Sequence, residues 1–148
     1  LDMQHSTIQQ RLVADKLVPG LTKRGKAATN WDLGAIPGAG AILSTAEDLA
    51  KFAQANFDPN NEAMKVQHQK TFTVNNYRDM ALGWFIRNQD TKQLYWHSGG
   101  TGGYRSLMVL DIDSKQGVIV LSNISSGHEH AGRISSLGFA LLNSMGNQ

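Results

Sequence analysis

The residues best suited to chemistry lie together in one run, Trp96-His97-Ser98-Gly99-Gly100-Thr101-Gly102-Gly103-Tyr104. It combines hydroxyl groups and four glycines with an imidazole, a group that as a residue type titrates near neutral pH. Glycine weakens a strand interior and is used where a backbone or a ligand must approach closely. This glycine-rich run therefore predicts a strand end that hydrogen-bonds a ligand. The alternative is a glycine-rich hairpin loop that happens to carry a histidine.

Other arrangements of reactive residues are less promising. His97 and Ser98 are adjacent, so on a strand their side chains point to opposite faces and cannot serve each other as base and nucleophile. His128 and His130 have a spacing that could bind a metal, but a solvated loop is favoured because no further ligands are evident nearby. The glycine-rich run also lacks the spacing and the following helix of a phosphate-binding loop. We therefore predict no metal site and no cofactor.

Composition narrows the classes of function. The 148 residues suit a single unit, residues 1–148, and their net charge of +2 without a basic run argues against nucleic-acid binding. The absence of cysteine excludes disulfides and a cysteine nucleophile within this sequence. No apolar run approaches the roughly 20 residues that span a bilayer. No signal peptide opens the sequence, and because Leu1 is not an initiator methionine we expect residues upstream of it.

One helix is predicted over residues 45–56. Ser44 followed by Glu47 is a capping-box pattern, which favours an N-cap rather than a nucleophile at Ser44. The apolar stripe of this helix is Ala46, Leu49, Ala50, Ala53 and Phe57. A short helix beginning near Asn60-Asn61 remains an open possibility, since the pattern of residues 59–80 is ambiguous.

The remaining elements are strands and a last helix. Strands are predicted over residues 82–87, 93–98, 104–110 and 118–121, with turns at 88–92 and 111–117, and the short connections make neighbours antiparallel. Residues 118–121 are continuously apolar, which is typical of a strand buried on both faces. Residues 131–145 predict an amphipathic helix that packs on the sheet through Ile134, Leu137, Leu141 and Met145. The fold class is therefore α+β.

At this point a family resemblance becomes visible. The glycine-rich run resembles the third conserved box of the serine β-lactamase and penicillin-binding-protein superfamily, which is Lys-Thr-Gly in most members and His-Ser-Gly or His-Thr-Gly in many class C-like hydrolases. Residues 38–52 are similar to its "aGGl-STA-DLa-F" segment, Leu82-Gly83-Trp84 to its "GLGW" strand, and residues 117–123 to its last strand. Leu1-Asp2-Met3 resembles its "PLGM" segment, with Asp in place of Gly.

Two motifs of that superfamily are missing from the sequence. No serine is followed three residues later by lysine, and Tyr77, Tyr95 and Tyr104 do not begin a Tyr-x-Asn motif. Both motifs belong to the N-terminal part of the family. The resemblance therefore implies the C-terminal part of a β-lactamase/transpeptidase-like α/β/α sandwich, with antiparallel strands, a C-terminal helix on the sheet, and the nucleophile elsewhere.

The resemblance also implies roles for individual residues. A serine from the missing part would attack a β-lactam, peptide or ester carbonyl and form an acyl-enzyme. The backbone N–H of Gly100 would be one oxyanion donor, and His97 would replace the lysine of the box and polarise the site. Ser98 would bind the substrate's carboxylate or leaving group. Gly99, Thr101 and Tyr104 complete the implied substrate-binding set.

Two functions of different classes follow. The first is part of a serine hydrolase of the β-lactamase, D-Ala carboxypeptidase or esterase type, inactive as this chain alone and, by resemblance, periplasmic or secreted in a bacterium. The second is a non-catalytic binding or regulatory module on the same scaffold. The expected partners are a small-molecule or peptide substrate and, at the edge of residues 118–121, either a second copy of the chain or the missing N-terminal half.

Overall fold

The computed structural model describes residues 1–89 and 92–146. Six strands form one antiparallel sheet in chain order, and helices cover both of its faces. The strands are β1 (Phe72–Asn75), β2 (Arg78–Met80), β3 (Phe85–Asn88), β4 (Gln93–Gly100), β5 (Arg105–Asp111) and β6 (Gln116–Ser122). The helices are α1 (Ala46–Asn56), α2 (Glu62–His68) and α3 (Gly132–Met145), with short 3₁₀ turns at Gln10–Leu12 and Pro37–Ala39. The predicted fold class and antiparallel pairing are confirmed.

Helix α1 lies where it was predicted, but its cap does not. Thr45 is the N-cap, and its hydroxyl accepts a hydrogen bond of 3.1 Å from the Asp48 N–H. The Ser44 hydroxyl instead lies 2.8 Å from the Ser6 hydroxyl. The prediction of Ser44 as the cap is wrong by one position, because Ser44 hydrogen-bonds to the distant Ser6 and leaves the helix N–H to Thr45.

The strands agree with the predicted ones except at the beginning of the sheet, in β1, β2 and the start of β3. β4 and β5 match the predicted segments to within two residues at each end. Helix α2 forms at the short helix left open, with the Asn61 side chain accepting from the Met64 N–H at 3.3 Å. β3 begins at Phe85 rather than at residue 82, because Gly83 has φ +81° and turns the chain just before it. β1 and β2 were not predicted; they are short and mostly exposed. The turn predicted at 88–92 includes residues 90 and 91, which lie outside the described residues.

The sheet separates two apolar layers. On one face Ala53 of α1 packs with Trp84, Ile86 and Leu110, and partly buried Phe52, Phe57 and Ile119 complete that layer. On the other face Leu142 of α3 packs with Leu94, Leu107 and Val109. The alternation of side chains along β4 and β5 divides them between these layers, so that residues of even number in β4 face α3.

Helix α3 has the predicted bounds but packs through a different face. Leu137, Leu141 and Met145 are 48%, 44% and 42% exposed, while Gly138 and Leu142 are buried. A Cβ at Gly138 would overlap the Leu107 side chain, so glycine allows α3 to approach the sheet closely at that point. The predicted apolar stripe is therefore wrong except for the half-buried Ile134. Because α3 approaches the sheet closely at Gly138, the face that carries Gly138 and Leu142 packs on the sheet instead.

β6 is the last strand of the sheet and pairs only with β5 in the described part of the chain. Its residues are half-buried and Leu121 is 45% exposed, so the prediction of a strand buried on both faces is wrong. Helices α1 and α3 nevertheless both contact it, one on each face. Among residues 1–89 and 92–146, no helix has the length and apolarity that a bilayer span requires.

Candidate active site

The C-terminal end of β4 extends beyond the end of its neighbour β3. The pairing between β3 and β4 stops at Phe85 and Trp96, whereas β4 continues to Gly100. On the other side β5 follows β4 along its whole length, and Gly100 lies opposite Arg105. The last four residues of β4, which are 97–100, therefore have a neighbouring strand on one side only in the described part of the chain.

The hydrogen-bonding pattern shows where the Gly100 N–H points. The Thr101 N–H donates to the Tyr104 carbonyl at 3.1 Å, so Thr101 and Tyr104 form a hydrogen-bonded pair between the two strands. Because N–H groups alternate in direction along an antiparallel strand, the Gly100 and Ser98 N–H groups face away from β5. They point past the end of β3. A backbone donor with no strand opposite it is the arrangement that an oxyanion site requires.

His97 lies on this free end of β4. Its side chain is exposed, and its ring stacks on Phe85 with ring centroids 5.7 Å apart and an angle of 14° between the planes. Its cross-strand neighbour is Met108, whereas Ser98 lies opposite Leu107. His97 and Ser98 therefore face opposite sides of the sheet, as the sequence predicted.

The glycines of the run are used for close packing. A Cβ at Gly102 would lie 2.9 Å from the Trp31 indole nitrogen, and a Cβ at Gly103 would lie 2.7 Å from the Cα of Gly20. A Cβ at Gly99 would lie 2.6 Å from the hydroxyl of Ser106. Residues 20–31 are thus held against the tip of the β4–β5 hairpin. Part of the glycine content reflects the approach of another backbone rather than of a ligand.

A groove of about 480 Å³ opens beside the hairpin tip. Thr101 and Tyr104 lie in its wall, whereas His97, Ser98, Gly99 and Gly100 do not line it. The Tyr104 hydroxyl donates to the Val18 carbonyl at 2.7 Å, which fixes this wall to the preceding loop. The other lining residues come from the first part of the chain: Ile8, Gln9, Gln10, Arg11, Asn30, Trp31, Asp32, Leu33, Gly34, Pro37, Gly40, Ala41 and Leu43.

Known proteins share both this sequence and this fold. The sequence profile of the Beta-lactamase family matches residues 1–140. The chain belongs to the beta-lactamase family. Penicillin-binding protein 4* of Bacillus subtilis (strain 168) is 32% identical over 103 residues, which are 66% of this chain and 23% of that protein.

Solved structures share this fold. A class C beta-lactamase superposes on 96% of this chain and 47% of its own with a TM-score of 0.83 at 16% identity. A beta-lactamase/D-alanine carboxypeptidase from Pseudomonas syringae superposes on 90% of this chain and 47% of its own, with a TM-score of 0.77 at 13% identity. These likenesses show the fold, and the chain spans less than half the length of each of these relatives.

A buried carboxylate anchors the first segment of this beta-lactamase-family chain to α1. Asp48 is completely buried, and its carboxylate accepts hydrogen bonds from the His5 N–H at 2.7 Å, the Ser6 hydroxyl at 2.9 Å and the Lys51 ammonium at 3.2 Å. Burial raises the pKa of Asp48, but the Ser6, Lys51 and His5 contacts outweigh burial and leave the pKa below its ordinary value. The helical pattern gave no sign of this network, since the predicted apolar stripe of α1 does not include Asp48.

His128 and His130 lie in the loop before α3, as predicted. The His130 N–H donates to Nδ1 of His128 at 3.1 Å, and the two rings are 5.4 Å apart. Within residues 1–89 and 92–146, no three histidine, cysteine, aspartate or glutamate side chains are arranged to hold a metal ion. The structure therefore provides no donor set for a resident metal among the described residues.

Two residues near Gly100 were missed by the sequence analysis. A Cβ at Gly100 would overlap the Ser126 hydroxyl and would lie 3.5 Å from Nη1 of Arg105. Arg105 follows the glycine-rich run directly, but no spacing rule singles it out, and Ser126 comes from a loop 26 positions after Gly100. Only the β4–β5 hairpin and the loop after β6 bring these three residues together.

Proposed function

We propose that the protein containing this chain is a serine hydrolase that acts through an acyl-enzyme, and that this chain supplies the strand on which the substrate carbonyl is held. The observation that carries the proposal is the direction of the Gly100 N–H, which points past the end of β3, where no strand of the described part of the chain opposes it. A preorganised backbone donor of this kind stabilises the oxyanion that forms when a carbonyl is attacked.

The other residues of the run act around this donor. The exposed imidazole of His97, held by its stack on Phe85, polarises the site in place of the lysine found in most family members. Ser98 and Gly99 belong to the same strand end and present a hydroxyl and a backbone edge to the substrate. Thr101 and Tyr104 line the neighbouring groove, which accepts the part of the substrate beyond the reacting carbonyl.

The nucleophile and general base come from outside these 148 residues. The sequence contains neither a Ser-x-x-Lys nor a Tyr-x-Asn motif. The chain by itself therefore binds substrate weakly or not at all and does not turn it over. We expect the whole protein to be bacterial and exported, as is typical of the family, and to need no cofactor.

The substrate is a β-lactam, a D-alanyl peptide or an ester. The relatives favour the first two, since their names are those of a penicillin-binding protein, a class C beta-lactamase and a beta-lactamase/D-alanine carboxypeptidase. All three substrates react at a carbonyl through an acyl-enzyme, and this reaction needs an oxyanion donor such as the Gly100 N–H.

The experiment is acylation of the whole protein by a penicillin, detected by intact mass. A mass increase of one penicillin per polypeptide supports the hydrolase, and the same chain as residues 1–148 alone is expected to remain unmodified. No mass increase and no turnover of a chromogenic cephalosporin or a nitrophenyl ester by the whole protein would favour a binding or regulatory module. The missing Ser-x-x-Lys motif is the observation in support of that second function.

We propose that the outer edge of β6 pairs with a strand from outside this chain. β6 is seven residues long, pairs only with β5 in the described part of the chain, and has no charged residue between Gly117 and Ser122. A strand edge of this kind pairs with another chain. In the whole protein we expect a strand from outside this chain at that edge, and in the isolated chain a second copy.

A further inference from the structure

His97 and Phe85 meet where the pairing of β3 with β4 stops. Phe85 and Trp96 are the last pair, and His97 is the next residue of β4. The exposed imidazole stacks on the Phe85 ring, with centroids 5.7 Å apart and an angle of 14° between the planes. None of the ion pairs within residues 1–89 and 92–146 includes His97. The Phe85 ring therefore gives the His97 side chain a preferred direction.

The Phe85 ring is itself held by several contacts. It stacks on Trp96 with centroids 5.0 Å apart, and the Arg78 guanidinium carbon lies 5.6 Å from its centroid. The Ala81 N–H donates to the Trp84 carbonyl at 2.9 Å, which closes the turn immediately before Phe85. Phe85 is also half-buried. Its ring is therefore a fixed surface on which the imidazole rests.

A histidine at position 97 depends on such a surface more than a lysine does. A lysine ammonium sits on a flexible four-carbon stem and reaches a substrate in several conformations. The imidazole of His97 is joined to the backbone by a single methylene group, so rotation about two torsions decides where its nitrogens point. Stacking on an aromatic ring favours one of these orientations. A polarising group that is oriented before the reaction begins lowers the barrier more than one that must be oriented during it.

We propose that Phe85 is a positioning residue, which holds the His97 imidazole toward the carbonyl placed by the Gly100 N–H. Arg78 supports this role through its contact with the same Phe85 ring. The inference rests on the proposed function, because the carbonyl belongs to the substrate of that reaction. It goes further in one respect: an aromatic residue is required at position 85 because position 97 carries histidine, and a lysine at position 97 does not require it.

The stack is tested by NMR of the imidazole protons in the whole protein. A proton above the face of a phenyl ring resonates upfield, so we expect upfield shifts for the His97 ring protons, which are assigned by their loss in His97→Ala. Phe85→Leu is expected to return them to the position of an exposed histidine, and Phe72→Leu to leave them in place. Phe72 is the matched control, since it is 64% exposed and lies on β1, two strands from β3.

The role in catalysis is tested by turnover of a chromogenic cephalosporin or a nitrophenyl ester by the whole protein. Phe85→Leu is expected to lower kcat about 10-fold with a smaller effect on KM, because a displaced polarising group acts mainly on the transition state. Phe85→Tyr keeps the ring and should retain most of the rate. Arg78→Gln is expected to lower kcat about 3-fold, the size of an exposed cation–π contact. Arg87→Gln is its control, since Arg87 lies directly opposite Arg78 but its guanidinium lies over the Phe139 ring.

A double-substitution cycle separates positioning from a structural effect. If Phe85 acts through His97, Phe85→Leu causes no further loss of kcat in the His97→Ala protein, and the two losses are not additive. For the same reason the His97→Lys protein is expected to be insensitive to Phe85→Leu. Additive losses, or an equal loss in the histidine and lysine proteins, would show that Phe85 supports the fold rather than His97 and would overturn the proposal.

The outcomes also separate this inference from the proposed function. A whole protein that turns over no substrate overturns the hydrolase, whatever the shift of the His97 ring protons. Turnover that is unchanged in a folded Phe85→Leu protein overturns the positioning role and leaves the hydrolase intact. If Phe85→Leu does not fold, the unmodified protein and Phe85→Tyr decide. His97 ring protons without an upfield shift then overturn the proposal, and shifted protons in both proteins support it.

Discussion

The Ser6 hydroxyl donates a hydrogen bond of 2.9 Å to the Asp48 carboxylate, although the two residues lie 42 positions apart in the sequence. The same carboxylate accepts a hydrogen bond from the His5 N–H. The Lys51 ammonium also donates a hydrogen bond of 2.8 Å to the Asp2 carbonyl. The first turn of α1 thereby holds the beginning of the chain. The segment that follows, from Ile8 to Arg11, lines the groove beside the hairpin tip, so the shape of that wall depends on the contacts of Asp48.

Asp48→Asn is expected to lower the melting temperature by several degrees, because it removes a buried charge on which three donors converge. Glu47→Gln is the control, since Glu47 is the neighbouring acid in the same helical turn but is exposed. Calorimetry of both variants checks the prediction. Equal melting temperatures would show that the network does not stabilise the fold.

The contribution of Asp48 to stability is expected to depend on pH. Its pKa in the folded protein is lowered below the ordinary 3.8, so the folded state binds fewer protons than the unfolded state as pH falls. The stabilisation is complete above the unfolded pKa and is lost as pH drops below 3.8 through the folded pKa. Denaturation of the protein and of Asp48→Asn across this range should show their difference shrinking toward acid pH, and a constant difference would contradict the assignment.

Thr45→Ala is expected to destabilise the protein by about 1 kcal/mol, because the helix loses the hydroxyl that accepts from the Asp48 N–H. Thr45→Ser retains a hydroxyl at the cap and should restore most of the loss. Urea denaturation measures both free energies of unfolding. Should alanine and serine give the same value, the first N–H groups of α1 must be satisfied in another way.

Gly100→Pro in the whole protein is expected to lower turnover by about 100-fold or more, since proline removes the N–H proposed as an oxyanion donor. Gly100→Ala is the matched control. Both substitutions add a Cβ that meets the Ser126 hydroxyl, but only alanine keeps the N–H. Turnover of a chromogenic cephalosporin in the two folded variants decides the point. Equal activity of the alanine and proline variants would place the oxyanion donor elsewhere.

His97→Ala is expected to lower turnover in the whole protein while the fold survives, because the His97 side chain is exposed and stacks only on Phe85 among the aromatic residues described. His97→Lys, which restores the residue common in the family, should retain more activity than alanine. The shape of the pH–rate profile should also differ between histidine and lysine, since histidine as a residue type changes charge near neutrality. Identical profiles in all three proteins would exclude a role for His97.

Leu121→Lys is expected to shift the isolated chain from dimer toward monomer. Leu121 is 45% exposed on the edge strand β6, and a charge on such an edge opposes pairing with another chain. Leu141→Lys serves as the control, because Leu141 is 44% exposed on α3 and does not lie on the edge. Sedimentation measures the association of each. A dimer that survives Leu121→Lys but not Leu141→Lys would move the contact to α3.

Local patterns were sufficient for α1, α3 and the strands from β3 to β6, and for the family. The periodicity of α1, the alternation of β4 and β5 and the short turns between strands are all set by residues close in sequence, so they predicted the bounds of these elements within a few residues. The glycine-rich run likewise identified the strand end at which the N–H of Gly100 faces away from β5.

The errors about burial and side-chain contacts involve residues whose surroundings come from distant parts of the chain. An apolar stripe on α3 pointed to Leu137 and Leu141, but the close approach of Gly138 to Leu107 turned a different face toward the sheet. The burial of Asp48 was not predicted, because its partner Ser6 lies 42 positions away in the sequence. The position of Arg105 beside Gly100 could not be predicted, because the two residues meet only once β4 and β5 are paired. Burial, counterions and the direction of an N–H depend on which elements meet, and that is a property of packing rather than of local sequence.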